Sequence, residues 1–147
     1  MKKSVIILIA LIYVASIALV GFFGIKFKIF EEIVYPTGIE LLNDDLESVD
    51  DLKAEFGDAE YDFDYYTFAT KVGNVYKYQL EYKLLPENTT ETTVYFSYDK
   101  DSAEKDGITV DEHGVVTFTK SGTAITIQII PKANGDTPSK RICIFAY

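Results

Sequence analysis

The sequence has one cysteine, Cys143, one histidine, His113, and no tryptophan. A single cysteine excludes an internal disulfide, so any domain here must be held by its core alone. One histidine and one cysteine do not supply a hydrolase triad or a zinc site, both of which need His with partners. Basic residues are also scarce. Lys and Arg number 14 against 23 Asp and Glu, a net charge of −9. Without a basic face for phosphates, nucleic acid is not an expected partner. Carboxylates are plentiful, but glycosidase chemistry needs a pair placed in a cleft, and nothing in the sequence places one. The expectation is a protein that is not an enzyme and carries no cofactor.

One long hydrophobic run is present. Ser4 to Ile25 carries no charge and is rich in Ile, Leu, Val and Ala. As a helix it spans roughly 33 Å, enough for a bilayer core of about 30 Å. Ile6, Leu8, Leu11, Val14, Leu19, Phe22 and Phe23 are the candidate lipid-facing residues. A signal peptide cleaved after Ser16-Ile17-Ala18 competes with an uncleaved signal-anchor. The run continues past that site, which favours the anchor. No cysteine directly follows the run, which excludes a lipoprotein. Lys2 and Lys3 favour a cytoplasmic start for residues 1–3, and Lys26 and Lys28 beyond the helix weaken that vote. Residues 4–25 are thus the expected transmembrane segment, and 26–37 a juxtamembrane segment broken by Pro36-Thr37-Gly38.

Residues 38–147 read as all-β. Ile39 to Leu42 is a first strand. From Val75 to Leu84 the period is two, with Tyr76, Tyr78, Leu80, Tyr82 and Leu84 on one side and charged or polar residues on the other. Pro86 ends that strand. Thr92 to Tyr98 repeats the pattern, with Val94, Phe96 and Tyr98 on one face. Asp99 to Gly107 is polar and reads as a solvated loop. Ile108 to Val110 and Val115 to Thr119 are strands around a turn at Gly114. Thr123 to Ile130 directs Ile125, Ile127 and Ile129 inward and stops at Pro131. Asn134-Gly135 is a hairpin signal, and Arg141 to Tyr147 is the last strand, with Ile142 and Ile144 in the core. Cys143 then lies on the opposite face or at an edge. No basic or histidine neighbour would lower its pKa, so it reads as an inert thiol.

Leu84-Leu85-Pro86-Glu87-Asn88-Thr89-Thr90, Val94-Tyr95-Phe96-Ser97, Ile108 to Val116 and Gly122-Thr123-Ala124-Ile125-Thr126-Ile127 together resemble the bacterial immunoglobulin-like domain, group 2. The resemblance covers Gly73 to Ile130. It implies an antiparallel sandwich of about seven strands, found mostly in bacterial surface proteins that bind proteins or carbohydrates, adhere, or act as spacers. Tyr95-Phe96 stands where the family usually has Trp. The family also keeps its first two strands close together, whereas here residues 43–72 intervene.

That insertion concentrates the acidity. Glu31 to Asp64 holds thirteen acids and one lysine, whereas acids and bases from Tyr65 onward number ten and nine. Asn43-Asp44-Asp45 is positioned to cap a short helix carrying Leu46, Val49, Leu52 and Phe56, with Gly57 as its stop. Asp58, Glu60, Asp62 and Asp64 alternate with Ala59, Tyr61, Phe63 and Tyr65, a strand pattern with an acidic and an aromatic face. Thr67 to Lys71 extends it, and Val72-Gly73-Asn74 turns it back into the Val75 strand. The four acids are candidates for a weak cation site, or for docking a basic partner through Glu60, Asp62 and Asp64. The bland alternative is a solvated strand face that protects an edge. Tyr61, Tyr65, Tyr66 and Tyr95 are candidates for an aromatic contact platform, weighed against core packing. Asp99-Lys100-Asp101 opens like a calcium loop but has Glu104 and Val110 where the required Gly and bidentate acid belong.

The sequence thus predicts a single-pass membrane protein whose C-terminal immunoglobulin-like domain is extracellular. Its expected role is non-catalytic protein binding or assembly at a bacterial cell surface. The alternatives are an accessory subunit of a membrane complex, or a module binding cell-wall carbohydrate. Membrane lipid, a protein and a cell-wall glycan are the candidate partners.

Overall fold

The computed structural model describes residues 3–26, 32–57, 59–136 and 138–147. It divides into two units, Met1–Ile33 and Val34–Tyr147. In the first, α1 (Lys3–Lys26) is a single helix. It is exposed along its apolar length, including Ile6, Leu8, Leu11, Val14, Leu19 and Phe22. The side chain of Phe23 lies outside the described residues. Lys3–Phe22 is long and apolar enough to cross a membrane. Much of the expected juxtamembrane segment, residues 27–31, lies outside the described residues.

The second unit is mostly β. In chain order it contains β1 (Gly38–Leu41), β2 (Glu47–Ser48), α2 (Val49–Phe56), β3 (Tyr65–Phe68), β4 (Thr70–Val72), β5 (Val75–Gln79) and β6 (Tyr82–Leu85). There follow β7 (Val94–Ser97), α3 (Lys100–Asp106), β8 (Ile108–Val110), β9 (Val115–Phe118), β10 (Thr123–Pro131) and β11 (Lys140–Ala146). One sheet has the order β2-β3-β11-β10-β7, a second β4-β5-β9-β8, and β1 pairs with β6 alone. All pairings are antiparallel except β3 with β11, where Tyr65 to Phe68 run parallel to Ile142 to Phe145.

The core lies between the two larger sheets. Ile125, Ile127, Ile129, Ile142 and Ile144 face it from the five-stranded sheet, and Tyr78, Val116, Phe118 and Ile108 from the four-stranded one. The period-two pattern delivers these side chains to one face, and Ile127, Ile129, Ile142, Ile144, Val116 and Phe118 are completely buried. This arrangement is compatible with a β-sandwich.

Eleven strands appear among the described residues, rather than about seven. The surplus has two sources. The insertion supplies β2, β3 and β4, and the long Val75–Leu84 pattern divides into β5 and β6. The division has a local cause. The Asn43 side chain donates to the Gln79 carbonyl and accepts from the Glu81 amide, both at 2.8 Å, while Leu80 donates to the Gly114 carbonyl. Those groups leave the regular ladder, and the chain changes partners from β9 to β1.

Three further expectations are corrected. Asp99 to Gly107 is not a solvated loop, because residues 100–106 form α3. Asp99 caps it by accepting from the amides of Asp101 and Ser102, Gly107 closes it at φ 71°, and Ala103 is buried beneath it. The insertion helix begins at Val49 with Ser48 as its cap, not at Asn43 to Asp45. Leu46 precedes it and packs on the core, whereas Phe56 is exposed. Finally, β10 runs through Pro131, which pairs opposite Val94, so the strand includes the proline rather than stopping before it. The hairpin into Val75 forms as expected, with Val72 opposite Val75 and Gly73 at φ 64°.

Candidate interaction surface

The expected acidic strand from Asp58 to Asp64 is absent among the described residues, because β3 starts only at Tyr65. Asp58 lies outside the described residues. The reason is visible at Asp64. Its backbone amide donates to the Arg141 carbonyl at 3.0 Å, and its carboxylate accepts the Arg141 amide at 2.9 Å. The aspartate side chain thus takes a donor that a strand ladder would use, and local side-chain bonds of this type compete with regular pairing. Asp62 forms an ion pair with the Arg141 guanidinium. Glu60 is exposed. Asp62 and Asp64 are therefore engaged within the chain, not arrayed on one free face with Glu60. Among the described residues no group of three or more His, Cys, Asp or Glu is arranged to hold a metal ion.

The four candidate tyrosines are likewise dispersed. Tyr61 packs its ring 5.5 Å from that of Phe63. Tyr65 turns toward the core, with the Lys140 ammonium 5.8 Å above its ring. Tyr66, one residue on, turns to the outer face. Tyr95 is exposed on β7 at the far edge of the same sheet, three strands from β3 and so roughly 14 Å away.

Of the rings that do come together, the sequence singled out Tyr66 alone. Parallel pairing places Cys143 opposite Tyr66 and Phe145 opposite Phe68. Tyr66, Phe68, Phe145 and Tyr147 consequently form a strip on the outer face of β3 and β11. Centroids are 6.3 Å apart for Tyr66–Phe68, 5.7 Å for Phe68–Phe145 and 6.1 Å for the stacked Phe145–Tyr147 pair. Phe68 is 53% exposed and Tyr147 74%. The usable signal was Phe-Ala-Tyr at 145–147 and Tyr-Thr-Phe at 66–68, two period-two aromatic pairs. Only knowledge of the parallel register would have joined them.

Acids border this strip. The Tyr66 hydroxyl donates to the Glu47 carboxylate, and its pKa is pushed up to about 12. That hydrogen bond is the chief cause, with partial burial and the charges of Glu47, Asp51 and Glu55 adding to it. Glu47, Asp51 and Glu55 are exposed, and among the described residues none of them is in an ion pair. Farther along the same sheet a groove of about 380 Å³ is lined by Ser97, Asp99, Thr126, Gln128 and Arg141 among others. Cys143 is buried against Thr126, and burial pushes its thiol pKa up, as an unreactive thiol requires.

Comparison of the chain with family models, with curated proteins and with solved structures returned no match.

Proposed function

We propose that this chain is a membrane-anchored, non-catalytic binding module whose domain is an immunoglobulin-like sandwich of the bacterial group-2 type. Strand order supports the fold part of this reading. An immunoglobulin domain of constant type has strands A-B-E-D in one sheet and C-F-G in the other. Taking β4, β5, β7, β8, β9, β10 and β11 as A to G in turn, the sheets here have the orders A-B-E-D and G-F-C. On this assignment strand A is β4, from the end of the 43–72 stretch, in place of the expected first strand at Ile39–Leu42; β1 pairs with the continuation of strand B, and β2, α2 and β3 are additions to the sandwich.

The binding part rests on one observation, the aromatic strip in which Phe68 and Tyr147 are exposed and Phe145 lies half-buried beside them. Soluble domains seldom leave such rings in water side by side without a partner. With α1 as signal-anchor and residues 1–3 in the cytoplasm, the domain acts at the outer surface of a bacterial cell membrane, on a protein partner or in assembly of a membrane complex. The test is affinity capture of the full chain in mild detergent after cross-linking. A partner retained by the intact chain and lost with the domain removed supports the reading, and capture of none overturns it. Replacing α1 by an unrelated transmembrane helix separates the versions: an accessory subunit held through its helix loses its partner, and a surface binder keeps it.

A second reading, cell-wall carbohydrate, is favoured by the polar groove beside the strip. Aromatic faces and hydroxyl or amide side chains on one surface suit a sugar. It predicts binding of the chain to wall polysaccharide independent of the α1 sequence.

A further inference from the structure

We infer that the outer face of β3 and β11 docks a cationic, amphipathic segment of a partner protein. The inference deepens the protein-binding reading above and rests on it. Two independent observations combine. The first is the aromatic strip, in which Phe68 and Tyr147 are more than half exposed. The second is charge: Glu47, on the edge strand β2, accepts the Tyr66 hydroxyl at the border of the strip, and Asp51 and Glu55 lie on α2, which follows β2 directly.

This combination selects its occupant. Aromatic faces attract arginine and lysine through the ring quadrupole, and exposed carboxylates outside any ion pair take the same cations through charge-assisted hydrogen bonds. Apolar side chains between the cations would cover the remaining ring surface. An acidic partner would meet repulsion along the whole α2 side. A second copy of this chain is disfavoured because it brings the same excess of carboxylates to the interface. The chain's net charge of −9 adds to that repulsion and steers a basic partner toward it.

The test uses the full chain in nanodiscs of zwitterionic lipid. The probe is a fluorescent peptide of repeated Arg-Leu-Ser, with a Glu-Leu-Ser repeat as its acidic counterpart and empty nanodiscs as the blank. Binding is read by anisotropy. The expected result is binding of the arginine peptide above the blank, none of the glutamate peptide, and loss of affinity by roughly tenfold or more in F68S/Y147S. D51K/E55K should lose a comparable factor together with the salt dependence. α2 has no buried residue, so the charge-reversal pair removes no packing from the core, and circular dichroism of the variant checks that the fold is kept. No binding above the blank, equal binding of both peptides, or wild-type affinity in D51K/E55K overturns the inference. Retention of a cross-linked partner by F68S/Y147S in the capture experiment overturns this docking face but leaves the protein-binding reading standing.

Discussion

Tyr78 donates its hydroxyl proton to Asp45 across 2.8 Å, and the other oxygen of that carboxylate accepts from Thr67, also at 2.8 Å. Thr67 belongs to the five-stranded sheet and Tyr78 to the four-stranded sheet, while Asp45 comes from the insertion. One carboxylate therefore ties the two sheets together. Thr67 is 1% exposed and the only buried polar residue among those described, so its hydroxyl needs this partner. Removing the acceptor should be costly. Asp45→Ala is expected to destabilise the domain by about 1–3 kcal/mol, because it removes the acceptor that both hydroxyls share. Tyr78→Phe, which deletes one donor and leaves the acceptor with the other, should cost less. Denaturant midpoints of the two variants measure the difference, and equal values would refute the clamp.

Gly107 offers a second test. It closes α3 at φ 71°, a backbone region that favours glycine, and a Cβ there would come within 2.1 Å of the Thr119 hydroxyl. That hydroxyl donates to the Gly107 carbonyl at 2.9 Å, so it cannot retreat without losing its bond. Gly107→Ala is expected to cost about 1–3 kcal/mol in thermal or denaturant unfolding. Gly73→Ala, also at positive φ but with open space around the site, should cost less.

Tyr66 should titrate late. Its hydrogen bond to Glu47 raises its pKa to about 12, above the ordinary 10.0. A folded-state pKa raised in this way contributes stability that is fully present below pH 10 and lost as pH rises toward 12. Ultraviolet absorbance of the phenolate should show one tyrosine shifting down in Glu47→Gln. An unchanged titration curve in that variant would disprove the assignment.

Glu91 behaves in the opposite sense. Hydrogen bonds from the Thr93 side chain, from Lys132 and from the Thr93 amide lower its pKa to about 2 from 4.5. Its contribution is present above pH 4.5 and fades as pH falls toward 2. Thr93→Val removes the largest cause and should move the carboxylate resonance of Glu91 back toward ordinary values in an NMR titration.

The core requires no special device. Ile142 is fully buried on a central strand, and Ile142→Ala should cost about 2–5 kcal/mol. Ile130→Ala, on the other face of β10, should cost much less, as measured by chemical denaturation.

What was legible in the sequence follows the strength of each local signal. Ile125, Ile127, Ile129, Ile142 and Ile144 reached the core as expected, because a period of two over several residues is written in hydrophobicity alone. The turns at Gly73 and Gly114 were legible from glycine. α3 was not, because its only buried residue is Ala103 and its caps, Asp99 and Gly107, also suit a loop. The division of Val75–Leu84 was hidden as well, since its cause is the side chain of Asn43, distant in sequence. The same holds for the aromatic strip. Its halves, Tyr66–Phe68 and Phe145–Tyr147, are brought together only by tertiary pairing, while the acidic alternation from Asp58 to Asp64 imitated a strand whose bonds Arg141 had already claimed.

The parallel pairing of β3 with β11 carries a consequence for how the chain is made. Tyr65 has no strand neighbour on that side until Ile142 exists. β10 likewise lacks one of its two ladder partners until β11 arrives along it. During synthesis the isoleucines of β10 therefore wait for Ile142 and Ile144 to complete the core around them. Sheet closure that depends on such distant segments is slow. The interval before closure is when this chain is most exposed to aggregation and to proteolysis, and when a chaperone has most to protect.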